Sequence, residues 1–172
     1  MNTTFIVNFV GNASPSTIKQ LAATTHENDG KWLISKVNFI ENQVAAVIKI
    51  ELPEENEEKV KEAFREVPDL LVRFVEAGDT AHDKDEIYQL RFDSEDRAGV
   101  VNEITQVLDG QGISILDMDC QRVFIASGGG VSNSLFTANL AIRLPAEVSI
   151  DDVTKELESL SEDTRVILTS EE

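Results

Sequence analysis

The order of hydrophobic patterns runs through this chain twice, and that repeat restricts the fold more than any single motif. In the first half, the apolar run Thr4–Val10 ends at the turn residues Gly11 and Asn12. Ser14-Pro15 reads as a helix start, with serine as N-cap and proline in the first turn. Ile18, Leu21, Ala22 and Thr25 follow at helical spacing, and Gly30 ends the run. Lys31–Ile40 and Gln43–Leu52 read as strands around a turn at Glu41-Asn42, with Pro53 stopping the second. Val60, Ala63, Phe64 and Val67 mark a second amphipathic helix, with Glu54, Glu55, Glu57 and Glu58 at its positive end. Leu70–Val75 is the closing strand.

The second half gives the same succession. Glu86–Phe92 alternates as a strand, and Val100, Ile104, Val107 and Leu108 form a helical stripe closed by Gly110 and Gly112. Ile113–Val123 and Leu135–Leu144 are strands, and Pro145 stops the second. Ser149 and Asp152 resemble a capping box ahead of Val153, Leu157 and Leu160, and Arg165–Thr169 is the last strand. Gly30 aligns with Gly112, 82 residues further on, and Leu52-Pro53 with Leu144-Pro145, 92 further on. The 10-residue difference is assigned to an inserted loop near 124–134. Each half therefore reads β-α-β-β-α-β. Right-handed crossovers give such a unit an α+β, ferredoxin-like arrangement, with both helices on one face of a four-stranded antiparallel sheet.

Two tandem units are expected, residues 1–78 and 87–172, with 79–86 between them. The short polar stretch Gly78–Glu86 reads as a linker, or otherwise as a surface loop inside one domain. One sheet face of each unit carries no helix. In the first half that face stays apolar, because Ile6 and Val10 alternate with Phe5, Val7 and Phe9. It therefore calls for the sibling domain or another chain, and a homo-oligomer is expected.

Charge narrows the function classes. Of 172 residues, 15 are basic and 32 acidic, a formal net charge of −17. Clustered Lys and Arg are what displace counterions from phosphates, so direct binding to nucleic acid or to an anionic membrane is not expected. No apolar run is long enough to span a bilayer, and Met1–Val10 carries no secretory signature. The single cysteine, Cys120, has no disulfide partner, which fits a reducing cytoplasm. Two histidines, His26 and His82, far apart in sequence, leave little for a zinc site. Asp117 and Asp119 share a strand face from which Cys120 points away, a poor arrangement for a metal. Gly128-Gly129-Gly130 lacks the lysine of a P-loop. No nucleophile–base set is readable, so neither an enzyme nor a cofactor is expected.

The stretch most suited to a ligand is Asp93–Val100, between the first strand and first helix of the second half. A helix start presents unpaired N–H groups to a carboxylate, Gly99 lets backbone come close, and Asp93 or Asp96 could face an ammonium group. Those are the needs of an amino acid. The plain alternative is a helix start whose acids favour the helix dipole.

The strand, the turn Asp96-Arg97-Ala98-Gly99, the helix ending in Gly110-Gln111-Gly112, and Ile113-Ser114-Ile115-Leu116-Asp117 together resemble an ACT domain. That family's turn is commonly Asp-Arg-Pro-Gly, and its second strand opens with Gly, an apolar residue, Asn and Ile. Here Ala98 stands for the proline and Ser114 for the asparagine. Asn12-Ala-Ser-Pro-Ser16 lacks the glycine, although Gly30 keeps its place. The resemblance implies a regulatory module that binds a small amino acid, glycine or serine first, between two units. Carried over by position, its site comprises Asp93, Asp96, Arg97, Ala98, Gly99 and Val100 with Ser114 and Ile115. Two such units with almost no sequence left over are similar to tandem ACT regulators of glycine-cleavage transcription. That implies action through a DNA-binding protein partner, without contact to DNA. An interaction protein that kept the fold and lost the ligand is the alternative.

Overall fold

Phe5, Val7 and Phe9 are buried while Ile6, Asn8 and Val10 are not, and this alternation makes β1 (Asn2–Asn12) a two-faced central strand. The computed structural model describes residues 1–78, 85–126 and 132–169. The chain divides into two compact units, Met1–Thr80 and Ala81–Glu172. Most of the expected linker, residues 79–84, lies outside the described residues, as do residues 127–131 of the expected loop.

In the first unit β1 is followed by α1 (Pro15–Glu27), β2 (Lys31–Ile40), β3 (Gln43–Pro53), a short 3-10 turn, α2 (Glu57–Arg65) and β4 (Leu70–Glu76). The antiparallel sheet has the order β2-β3-β1-β4, as the element order predicts. Leu21 of α1 and Val60 and Phe64 of α2 close over Phe5, Val7, Phe9, Ile48 and Ile50. Rings of Phe5 and Phe74 meet edge to face at 5.8 Å. Trp32 packs against this core, and its indole N–H donates to Thr25 Oγ1 at 3.1 Å, whose hydroxyl donates to Leu21 O at 2.8 Å.

The second unit repeats the plan with β5 (Glu86–Glu95), α3 (Val100–Gly110), β6 (Ser114–Ala126), β7 (Ser132–Leu144), α4 (Ile150–Glu158) and β8 (Arg165–Thr169), in the order β6-β7-β5-β8. Leu90, Phe92, Ile104, Leu108, Ile142, Val153 and Leu157 form its core. Cys120 packs at the edge of this core, and burial pushes its thiol pKa up. The Tyr88 phenol donates to the Glu86 carboxylate, which raises its pKa.

The structure corrects four details. Phe9 faces Ala46 and Val72, and Phe92 faces Ala138 and Val166, so these two phenylalanines are equivalents, 83 residues apart. The counterpart of Gly112 is therefore Asp29, not Gly30. Both adopt left-handed φ (70° and 58°), and the next residue of each, Ile113 and Gly30, donates back into the helix, to Leu108 O and Thr25 O. Gly30 answers to space instead, because a Cβ there would lie 2.6 Å from Thr25 Cγ2 and 2.9 Å from Thr25 O. The insertion is nine residues rather than ten, and part of it is strand: β6 continues through Ala126 and β7 resumes at Ser132. Ser14 and Ser149 occupy N-cap positions, yet neither side chain makes a capping hydrogen bond.

Candidate functional site

The turn after β5 is held from both sides. Asp96 N donates to Ser134 O at 3.1 Å, and its carboxylate accepts from Arg122 Nε and Ser134 Oγ, each at 2.8 Å. The Arg122 and Ser134 hydrogen bonds hold the Asp96 carboxyl below its ordinary pKa. Arg97 reaches the other way, with Nη2 2.5 Å from Glu103 Oε2 and 3.4 Å from Leu160 O. That pair raises the pKa of Arg97 and lowers that of Glu103. Asp163 accepts from Ser161 Oγ and from Glu95 N, each at 2.5 Å, and is lowered by those bonds. The turn is thus tied to the β6–β7 hairpin by Asp96 and to the α4–β8 connection by Arg97.

Gly99 caps α3 with φ 87° and ψ 2°, and no side chain caps that end. No described residue lies within 4 Å of where a Cβ would stand on Gly99. The backbone there is open to a ligand, which is what a bound carboxylate needs. Ala98 precedes it in the turn. The Val100 side chain is buried in the core, so Val100 has only its backbone N–H to give.

Two parts of the expected site lie elsewhere. Asp93 is inside β5, because the strand runs three residues beyond Phe92. Its cross-strand partners are Thr137 and Arg165, and it accepts from Thr137 Oγ1 at 2.6 Å and from Arg91 Nε at 3.2 Å. Phe92 and Ser94, its neighbours, point to the buried side, so Asp93 faces away from α3. Ser114 and Ile115 begin β6 at the far end of the sheet. Ser114 is level with Arg143 and Ile87, whereas the turn follows Glu95, level with Leu135. At ~3.4 Å per residue, β5 rises roughly 27 Å between Ile87 and Glu95, several times the length of a small amino acid. Within one unit, then, Asp96–Val100 and Ser114–Ile115 do not meet. An irregularity between Ile115 and Asp117 breaks the alternation, and Ile115 borders a small hollow with Thr105, Gln106 and Asp109 of α3.

The first-unit turn was the less promising by sequence, yet it borders a cleft of about 990 Å³. Ala13 N donates to Asn42 O as Asp96 N does to Ser134 O, so Ala13-Ser14-Pro15-Ser16 is the counterpart of Asp96-Arg97-Ala98-Gly99. The Pro-Gly pair of the ACT turn is thereby divided, proline in one unit and glycine in the other. Asn12, Ser14 and Thr17 line the cleft with Phe39, Ala63 and Val67, and Glu41, Glu66 and Asp69 make its rim acidic. Glu41 (φ 52°) and Asp69 (φ 65°) stand in left-handed conformations that no glycine announced.

Residues 3–72 match the ACT domain family. That match spans nearly all of the first unit and less than half of the chain. ACT domains are regulatory amino-acid-binding domains, and the second unit of this chain repeats the ACT topology. No curated protein matches the sequence. Among solved structures, an unknown protein from Galdieria sulphuraria is similar over 98% of both chains, with a TM-score of 0.80 at 16% identity. A candidate glycine cleavage system transcriptional repressor is similar over 98% of this chain and 97% of that one, with a TM-score of 0.64 at 13% identity. At such identities these likenesses establish the tandem ACT fold alone.

Proposed function

We propose that this tandem ACT protein is a regulatory sensor of a small amino acid, glycine or serine first. The observation that carries the reading is the uncapped start of α3 under the open backbone of Gly99, within an ACT topology. The ligand carboxylate sits on the backbone N–H groups that follow Gly99, where the helix dipole favours it. Ser114 and Ile115 come from a second copy, since those of the same unit are a sheet's length away. Asp96 and Arg97 position the turn rather than meet the ammonium group. The cleft of the first unit, at the equivalent turn, is the second place to look.

The protein acts in the cytoplasm on transcription of glycine and one-carbon metabolism through a DNA-binding protein partner. Support comes from the likeness to the candidate repressor and from the net charge of −17, which opposes approach to DNA. A gel shift of duplex DNA at ~150 mM salt is expected only with a second protein present.

Isothermal titration with glycine, serine and the remaining proteinogenic amino acids tests the sensor. Heat and a melting shift with at least one of them are expected. The reading fails if none gives either at millimolar concentration. The interaction-protein alternative then stands, and the internal pairing of Asp96 and Arg97 favours it.

A further inference from the structure

The helix-free face of the first unit's sheet has a chemistry unlike the rest of this acidic chain. Leu71, Val10 and Ala45 lie in one cross-strand row, and Arg73, Asn8 and Val47 in the next. The short side chain of Ala45 leaves a groove of about 490 Å³ between taller neighbours. Leu71 at its edge is 77% exposed, and Val10 and Val47 are about half exposed. Among the described residues no carboxylate lines the groove, although the chain carries 32 acidic residues. Its charged border is cationic, with Arg73 in the groove wall and Lys49 one row further along β3. Neither of these two makes an ion pair with a described residue. Asn8 Oδ1, in the middle of the face, is shielded from solvent and accepts no hydrogen bond from a described residue.

These three features specify what can cover the face. A second copy laid face to face would offer no carboxylate from the described lining of its own groove, and so would leave Arg73 and Lys49 without counter-charges. A nucleic acid offers phosphate charge but no apolar side chain for the groove, and the whole-chain field opposes it. The missing complement is an apolar side chain for the groove, carboxylates for Arg73 and Lys49, and an N–H donor for Asn8 Oδ1. We propose that this face docks an acidic, apolar-studded segment of a partner protein. The proposal rests on the regulatory reading only for the existence of a partner, and it needs no amino acid in either turn.

A random-peptide library displayed on phage and panned against the full chain tests it, with Arg73→Glu and Leu71→Asp as comparison proteins. Both substitutions are at surface positions, and circular dichroism verifies their folding. Sequences alternating Asp or Glu with apolar residues should be enriched on the wild type. Synthetic copies should bind each variant roughly tenfold more weakly, with affinity falling as salt rises. The proposal is overturned if no peptide is enriched, if the enriched ones are neutral or basic, or if they bind both variants as well as wild type. Self-association that Leu71→Asp abolishes, measured by sedimentation, would give the face to a second copy instead. Binding to phosphatidylserine vesicles through Arg73 would give it to a membrane. Amino-acid titration is run on the same proteins, so the sensor and the docking face stand or fall separately.

Discussion

Gly11→Ala is expected to be among the costliest single-atom additions the first unit can receive. Gly11 has φ 150°, and a Cβ there would lie 2.0 Å from Asp69 O, 3.0 Å from Asp69 C and 3.1 Å from Leu70 Cα. Ordinary contact begins near 3.4 Å, and every one of these neighbours is backbone, so β1 and β4 must part by more than an ångström. That movement breaks the bond from Asn12 N to Asp69 O and the end pairing of Gly11 with Leu70. A side chain in a glycine-only backbone region costs about 1–3 kcal/mol, and each lost hydrogen bond about 0.5–1.5 kcal/mol. The sum is about 2–6 kcal/mol, or roughly 8–48 °C in the melting temperature of a domain this size. Gly99→Ala supplies the control, since φ is also positive (87°) but no described residue lies within 4 Å of the new atom. It should cost only the conformational part, about 1–2 kcal/mol. Scanning calorimetry of both full-length variants, with Trp32 emission following the first unit, measures the difference. If Gly11→Ala destabilises no more than Gly99→Ala, the close approach of the two strands is not what demands glycine.

Gly99→Val places a β-branched side chain over the open helix start and should remove amino-acid binding; at φ 87° it also costs more stability than Gly99→Ala, so the ligand-induced melting shift is read against the variant's own folded baseline. Asp96→Asn should flatten the acid limb of stability. Because the folded pKa of Asp96 is depressed, wild type holds its advantage above the ordinary value of 3.8 and loses it as pH falls through the lower folded value. Urea unfolding of both proteins across that interval would expose an unchanged difference, and with it a mistaken role for Arg122 and Ser134. Thr25→Val leaves the Trp32 indole N–H without its acceptor, at a cost of about 1–3 kcal/mol. The urea midpoint and the Trp32 emission maximum should both move.

The fold was legible because its pattern was written in residues that alternate. Phe5, Val7 and Phe9 set one face of β1, and the stripe Val100, Ile104 and Leu108 set one side of α3, with no need of distant information. The same alternation held the correction for Asp93: it continues the series of Arg91, not of Phe92, and so belongs to the open face. Gly30 misled because it sits beside the residue that takes the left-handed conformation. Asp29 pays that cost, while Gly30 is glycine for lack of room against Thr25. The clamp on Asp96 was not legible, because Arg122 and Ser134 come from the hairpin and only register brings them to the turn. The first-unit cleft is assembled from three turns far apart in sequence, and no local motif marks it.

Trp32 is the only tryptophan of the chain and Tyr88 the only tyrosine, one in each unit. The molecule is therefore already labelled. Tryptophan-selective excitation follows the first unit alone, and tyrosine absorbance, shifted by the bond to Glu86, follows the second. Energy passing from the phenol to the indole depends on the distance between the units, so a change in their spacing on ligand or partner binding would register without a dye, a fusion or a substituted residue.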